Sequence, residues 1–255
     1  MPQFNFDGPC STSSLTRRTA AEDSIQRSIL EAYGWMTAGL AVTGLTAFTA
    51  AKSGILTWIL TQMPVLFFGI LIGQLVLTLA FTFMRNKVSA GMLRALFLVF
   101  AFAMGITLSS LFSIPGADAY TGTGYTDTTL LTAFLISAVY FGCLVFIGMT
   151  TKKDMSKIGT VCLTGLAAML ITQLILFLFG AGMSVRLFSI VGLVLFTGLT
   201  ARDVQRLNQT MIMCDGQPVE QKKWAVFFAL TLYLDFINIF LKILSLLGSG
   251  GSSRK

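Results

Sequence analysis

The segment TLYLDFINIFLKIL, residues 231–244, places an aspartate inside an apolar run that extends from Trp224 to Leu247. A run of this length spans the hydrocarbon core of a bilayer as a helix. Asp235 lies about eleven residues, or ~16 Å, from the start of the run, which is close to the membrane midplane. A carboxylate at that depth costs a few kcal/mol, and its side chain is too short to reach the headgroups. We therefore expect Asp235 to have a specific partner and a functional role.

The composition of the whole chain is that of an all-α integral membrane protein. Its 255 residues are 55% hydrophobic and 11% charged, and the mean hydropathy is +0.79. So few charges do not solvate a globular surface. We predict seven transmembrane helices, because seven apolar segments are about 20 residues long or longer. The segments are residues 32–51, 55–84, 90–113, 128–150, 157–179, 184–206 and 224–247.

The polar ends of the chain predict its domain limits. Residues 1–30 mix basic and acidic side chains and lack the apolar core of a cleavable signal peptide, so we expect a cytoplasmic N-terminal tail. Residues 31–247 form the predicted transmembrane domain. The C-terminal GSGGSSRK, residues 248–255, is flexible by composition, and we assign it no function.

The basic residues predict the orientation in the membrane. With the N-terminus in the cytoplasm, thirteen of the eighteen Lys and Arg residues fall on the cytoplasmic side, as the positive-inside rule requires. They are Arg17, Arg18, Arg27, Arg85, Lys87, Arg94, Lys152, Lys153, Lys157, Arg202, Arg206, Lys222 and Lys223. Topology therefore accounts for the net charge of +7, and we predict no nucleic-acid partner.

The residue types present argue against most catalytic chemistry. The chain has no histidine, which removes the Ser-His-Asp triad and the HExxH zinc site. Its four cysteines, Cys10, Cys143, Cys162 and Cys214, show no metal-ligand spacing. No pairing of a nucleophile with a base is visible in the sequence. We expect no enzymatic activity and no cofactor.

Several small or neutral polar residues within the spans have structural explanations. Gly69 and Gly73 fit small-residue packing, in which two helix backbones approach closely. Gln74 lies in the middle of its span and shares a helix face with Arg85, eleven residues on. A neutral amide also satisfies itself between helices, so both interpretations of Gln74 stay open. We name Gln74 and Asn238 as candidates for lining a pathway.

The ionisable residues of the spans divide into two groups. Arg94 and Lys242 lie near predicted span ends, where long side chains reach the headgroups. Asp235, Asp203 in GLTARDVQRL, and Arg85 in FTFMRNK are candidates for function. Two close carboxylates in a poorly solvated site do not both ionise cheaply, and they titrate as a unit. If Asp203 and Asp235 face each other with their carboxyls about 2.5–3.0 Å apart, they make a proton-sensitive pair.

Three segments resemble the transmembrane BAX inhibitor motif family, also called the Bax inhibitor-one family. They are LYLDFINIFL (residues 232–241), GLTARDVQRL (198–207) and FMRNK (83–87), in the order and spacing of the family. The resemblance covers about residues 30–247 and is closest to bacterial members. It implies a fold in which two layers of three helices enclose the C-terminal helix.

The same resemblance implies a pH-regulated calcium leak channel or transporter of the bacterial inner membrane. Asp203 and Asp235 would form a hydrogen-bonded pH sensor, and Arg85 would act as its latch. The aspartates also offer hard oxygen ligands to a passing Ca²⁺. The expected partners are the lipid bilayer, Ca²⁺ and protons. Some bacterial relatives carry an acidic residue around the position of Gln74, so a second carboxylate gate is not predicted for this chain.

A second class of function remains open. Some bacterial relatives are thought to be regulatory interaction proteins, which bind a membrane protease or another membrane complex. The two functions make different demands on Asp203 and Asp235. A binding partner tolerates the loss of both carboxylates, whereas a gated pathway changes its flux.

Overall fold

A computed structural model describes residues 10–84, 87–113, 125, 127–151, 153–179 and 185–250. Every regular element within these residues is a helix, which confirms the predicted all-α class. The helices are α1 (Cys10–Ser53), α2 (Ile55–Gln62), α3 (Pro64–Met84), α4 (Ala90–Leu108), α5 (Ser110–Ser113), α6 (Asp127–Thr150), α7 (Ser156–Leu178), α8 (Val185–Met213) and α9 (Pro218–Gly250).

Six of the described helices are long and apolar enough to cross a membrane, and the chain is therefore a multi-pass membrane protein. These are α3, α4 and α6 to α9. The first predicted span, 32–51, forms the C-terminal half of α1, which is not among the six. Alanine, glycine and threonine make up thirteen of its twenty residues, so its hydropathy is lower than that of the other spans.

Two predicted spans are interrupted in the structure. The predicted helix over 55–84 breaks at Met63, whose φ of −142° and ψ of 63° are not helical. Pro64 explains the break, because its ring disfavours helical angles at the preceding residue and it fits the first position of a new helix. The predicted span over 90–113 likewise divides at Ser109, where α4 ends and the short α5 begins.

The predicted domain limits fall inside helices. α1 runs without a break from Cys10 to Ser53, so the boundary at residue 30 lies within one helix of 44 residues. α9 continues through residue 247 to Gly250. Three residues of the predicted flexible C-terminal tail are therefore helical in the structure.

α9 is the most enclosed of the apolar helices. It packs against α1, α4, α6 and α8. In the membrane-spanning part of α9, 61% of the residues are buried inside the protein. In that of α3, which packs mainly on α4, 6% are buried. The helix that carries Asp235 therefore forms the core of the bundle, while α3 presents an apolar surface.

Tyr233 attaches α9 to two neighbouring helices. Its side chain is fully buried, and its ring makes edge-on contacts with Phe97 and Phe100 of α4. The Thr43 hydroxyl on α1 donates to the carbonyl oxygen of Ala101 at 2.9 Å. The Tyr233 hydroxyl, 2.6 Å from that of Thr43, is therefore the donor in their hydrogen bond. This chain of hydrogen bonds fixes the position of α9 two residues before Asp235.

The prediction that Gly69 and Gly73 mediate close helix packing is wrong. No heavy atom of the described residues lies within 4 Å of the position that a Cβ atom would take at either glycine. Close approach occurs instead at Gly148 of α6, where a Cβ atom would lie 2.8 Å from the carbonyl oxygen of Ala201. This contact brings α6 against α8 two residues before Asp203.

Candidate functional site

The functional candidates lie toward one end of the bundle, which we call the basic end. There α6 connects to α7, and α8 connects to α9. The middle of α1 lies at the same end, because the Ser28 hydroxyl is 3.5 Å from the Gln221 side chain at the start of α9. The described basic residues of this end are Arg27, Lys87, Arg94, Lys153, Lys157, Arg202, Arg206, Lys222 and Lys223.

Asp203 and Asp235 lie on the neighbouring helices α8 and α9. Both are buried, with 5% and 4% of their surface exposed, and the two carboxyl groups are close enough to interact electrostatically. The Thr200 hydroxyl on α8 approaches the Asp235 carboxyl. Asp203 lies three residues further along α8, about 4.5 Å nearer the basic end. The structure thus places the two predicted carboxylates in one buried site, with Asp235 the deeper of the two.

The predicted spans place Asp235 near the membrane midplane and Asp203 near the cytoplasmic end of residues 184–206, and the lengths of the two helices account for this difference. α8 has 29 residues and α9 has 33, so both exceed the ~20 residues that span a bilayer core. The excess of both helices lies at the basic end, where they meet at the turn between Met213 and Pro218. Asp203 therefore lies ten residues from the end of α8, whereas it lies three residues from the end of the predicted span.

Positive charge lies on one side of the carboxyl pair. The Arg202 Nη1 atom is 3.4 Å from Oδ1 of Asp203, and Arg206 also acts electrostatically on Asp203. The Thr200 hydroxyl is near the Asp235 carboxyl, but neither Thr200 Oγ1 nor Asp235 Oδ2 makes a hydrogen bond of normal geometry among the described residues. A buried carboxyl oxygen is unfavourable in its ionised form unless it gains a partner.

The predicted latch, Arg85, lies outside the described residues, and its role stays a prediction. Arg202 is a second candidate that the sequence argument missed. Side chains one residue apart on a helix do not normally face each other, so an Arg202–Asp203 pair is not expected from spacing. The sequence signal that could have identified Arg202 is its position directly before Asp203, a candidate functional carboxylate.

The two candidate pathway residues make local hydrogen bonds. Gln74 Nε2 donates to the Thr107 hydroxyl of α4 at 2.9 Å, so its amide is satisfied between two helices. Asn238 Nδ2 donates to the carbonyl oxygen of Leu234, one turn earlier in α9, at 2.8 Å. Both side chains are half-buried. A role in lining a pathway remains a prediction for each.

Gln205 holds the loop between α6 and α7 against α8. Its Nε2 atom donates to the carbonyl oxygens of Thr151 and Lys153 at 3.0 and 2.9 Å. Its Oε1 atom accepts from the backbone N–H of Met155 at 3.0 Å. These three hydrogen bonds fix the loop one turn from the carboxyl pair. Sequence analysis did not single out Gln205, because a glutamine near a charged helix end usually faces solvent.

Polar groups continue along the α8–α9 interface beyond Asp235. Lys242 lies seven residues further along α9 on nearly the same face, and its side chain packs over Gly192 of α8. It is half-buried, so the expectation that it simply reaches the headgroups is incomplete. Further on, the Ser189 hydroxyl donates to that of Ser245 at 2.9 Å. We call the series Asp203, Thr200, Asp235, Lys242, Ser189 and Ser245 the polar seam.

Arg94, which was also expected to reach the headgroups, makes specific contacts within the protein. Its guanidinium pairs with the carboxylate of Glu31 on α1 and lies 5.3 Å from the centre of the Trp35 ring. Arg94 therefore fastens α4 to α1 at the basic end.

The donor set of the site suits a passing cation. Ca²⁺ takes six to eight oxygen ligands when it is held tightly. The site offers the carboxyl oxygens of Asp203 and Asp235 with the Thr200 hydroxyl beside them. Among the described residues there is no group of three or more His, Cys, Asp or Glu side chains that fits a resident metal ion.

Comparison with known proteins finds similarity over almost the whole chain. The sequence model of the family described as "Inhibitor of apoptosis-promoting Bax1" matches residues 25–252. The inner membrane protein YbhL of Escherichia coli (strain K12) is 33% identical over 226 residues, covering 88% of this chain and 92% of that protein. An uncharacterized protein of Deinococcus radiodurans is 33% identical over 235 residues, covering 91% and 93%. Another, of Borreliella burgdorferi, is 32% identical over 220 residues, covering 86% and 90%.

Proposed function

Because the chain belongs to the family of inhibitors of apoptosis-promoting Bax1, the Bax inhibitor-one family that its sequence resembles, we propose that it is a pH-regulated calcium leak channel or transporter. One observation carries the proposal. Two buried carboxyl groups, those of Asp203 and Asp235, lie in one site on neighbouring membrane helices, with an arginine at one side. Buried ionisable groups within membrane helices mark ion pathways and proton relays.

The proposed location is the bacterial inner membrane, with the N-terminus and the basic end in the cytoplasm. The concentration of lysine and arginine at that end supports the orientation. The name of the similar E. coli protein supports the membrane. The contacts of α9 with α1, α4, α6 and α8 support a central C-terminal helix, and we propose that the other spans form a layer of three on each side of it.

In the proposed closed state the carboxyl pair carries negative charge and holds arginine beside it. Arg202 and Arg206 face Asp203 from its own helix, and Asp235 faces it from α9. We keep Arg85 as the latch across the cytoplasmic end of the pathway. Protonation of one aspartate removes part of the attraction to these guanidinium groups. As the pH falls, the population of the open state therefore rises.

The proposed pathway follows the polar seam. A cation that reaches the carboxyl pair meets oxygen atoms in place of part of its hydration shell. The Oδ2 atom of Asp235, which is buried and has no hydrogen-bond partner among the described residues, supports the assignment. With two carboxylates and one hydroxyl, the site holds a divalent ion weakly enough to release it, as conduction requires.

Reconstitution into liposomes loaded with a calcium-sensitive dye tests the proposal directly. Calcium entry into protein-containing vesicles should exceed entry into protein-free vesicles and be faster at about pH 6 than at about pH 8. Vesicles that contain protein but show no entry above the protein-free rate at either pH would contradict the proposal. The regulatory interaction protein, which binds a membrane protease or another membrane complex, would then be the better account.

A further inference from the structure

A cleft of about 500 Å³ opens at the basic end beside the carboxyl pair. It lies where the start of α7, the last turns of α8 and the start of α9 meet. The residues that give it its chemistry are Ser156, Arg202, Arg206, Gln209, Thr210 and Trp224. No acidic side chain is among the described residues that line it. The cleft therefore offers two guanidinium groups with amide and hydroxyl groups around them.

We propose that this cleft binds the phosphate of an anionic phospholipid head group. Guanidinium groups bind phosphate oxygens through paired N–H donors, more strongly than neutral donors do. Arg206 lines the cleft and has no carboxylate partner within salt-bridge distance among the described residues, so its guanidinium is available to a ligand there. Basic pockets between membrane helices on the cytoplasmic side are typical sites for anionic head groups.

The surroundings of the cleft favour a ligand that carries acyl chains. α8 has 29 residues, about 43 Å, so its last turns extend past the ~30 Å hydrocarbon core to the depth of the head groups. Next to the cleft, Ile212 and Met213 are 60% and 80% exposed although both are apolar. Trp224, an aromatic residue of the kind enriched at membrane interfaces, forms part of its wall. A free phosphate would use the guanidinium groups but not this apolar margin.

Arg202 links the cleft to the carboxyl pair. It lines the cleft and at the same time lies 3.4 Å from Asp203. A distance of 3.4 Å is long for a charge-assisted hydrogen bond, which is usually about 2.7–2.9 Å. A phosphate in the cleft therefore competes with Asp203 for Arg202 and weakens their ion pair. This step, which makes anionic lipid an activator of the pathway, rests on the proposed function, whereas the binding itself does not.

Lipid binding to the delipidated, full-length protein in a neutral detergent tests the site. The probe is short-chain phosphatidylglycerol, and native mass spectrometry counts the bound molecules. Phosphatidylcholine of the same chain length and chain-free glycerol phosphate are the comparison ligands. Arg206→Gln removes one guanidinium and leaves the Arg202 and Asp203 side chains themselves in place. Lys222→Gln is the matched control, because it removes one exposed charge at the same end outside the cleft.

We expect phosphatidylglycerol to bind more tightly than phosphatidylcholine. Arg206→Gln should weaken phosphatidylglycerol binding about fivefold, and Lys222→Gln should leave it within about twofold. Equal binding of the two lipids, or equal loss in the two variants, would overturn the proposal. Binding of glycerol phosphate as tight as that of phosphatidylglycerol would also overturn it, by showing a site for a free phosphate. The assay measures no ion flux, so its failure is distinguishable from failure of the proposed channel.

Discussion

The Arg202 guanidinium lies 3.4 Å from the Asp203 carboxylate, between the open cleft at the basic end and the buried Asp235. The Arg202 side chain is 24% exposed and that of Asp203 is 8% exposed, so the pair lies at the boundary between solvent and the interior. The long distance and the adjacency in sequence indicate an ion pair that separates readily. We interpret it as part of the closed state of the proposed pathway.

Replacing Arg202 with glutamine should raise calcium flux at high pH. The change removes the positive charge that favours the ionised, closed carboxyl pair. Ion pairs at such boundaries contribute about 1 kcal/mol, so at about pH 8 we expect roughly a threefold to tenfold increase in calcium entry into liposomes. Lys153→Gln, an exposed change at the same end, is the control. Flux that is unchanged by Arg202→Gln would remove Arg202 from the closed state.

Arg85→Ala should also raise the leak at high pH, because it removes the proposed latch itself. The liposome assay that tests Arg202→Gln tests this variant under identical conditions. A rise for Arg85→Ala alone assigns the latch to Arg85 as the sequence predicts, and a rise for Arg202→Gln alone assigns it to the observed ion pair. If neither variant changes the amount or the pH profile of the flux, an arginine latch is contradicted.

Lys242→Met should increase calcium flux. The lysine lies on the same face of α9 as Asp235, two turns away, and it is half-buried against Gly192. A positive charge along the polar seam repels a divalent cation, whereas methionine keeps a similar length without the charge. The liposome assay should show an increase of a few fold, and Lys242→Arg should stay near the wild-type rate. A rate for Lys242→Met at or below wild type would show that cations do not pass this residue.

Gln205→Ala should destabilise the protein. It removes three hydrogen bonds to the α6–α7 loop and leaves two backbone carbonyl oxygens without their partner. We expect a loss of about 1–3 kcal/mol, seen as a lower thermal unfolding midpoint in detergent, with faster hydrogen exchange at residues 151–155. Gln209→Ala, an exposed glutamine one turn on, is the control. Equal midpoints for the two variants would contradict the role of Gln205.

The positions of Asp203 and Asp235 could be predicted because a carboxylate in an apolar run has few explanations. The helical class followed from hydropathy in the same way. The break at Met63 could also have been predicted, since Pro64 is visible in the sequence, but the apolar run continues across it and hydropathy alone does not register backbone geometry.

Other features depend on contacts that no local pattern contains. The Thr43–Tyr233 hydrogen bond joins residues 190 positions apart, and the three hydrogen bonds of Gln205 depend on where the α6–α7 loop returns. Gly69 and Gly73 have the spacing of a packing motif, yet a close approach exists only where a second helix is present. That partner is found at Gly148 and absent, among the described residues, at the other two glycines.

The pH dependence of calcium flux in Asp235→Asn tests the central claim most directly. Asp154→Asn is the matched control, because it makes the same chemical change in the exposed α6–α7 loop. There the backbone N–H and the side chain of Ser156 hold the pKa of the Asp154 carboxyl below its usual range. The Asp154 carboxyl therefore stays ionised throughout the assay and becomes protonated only at much lower pH.

Calcium entry into dye-loaded liposomes is measured for wild type and both variants at about pH 6 and about pH 8. The account predicts that wild type and Asp154→Asn conduct faster at the lower pH, and that Asp235→Asn conducts at nearly the same rate at both. An Asp235→Asn protein that is correctly folded and keeps the full wild-type pH dependence would contradict the account.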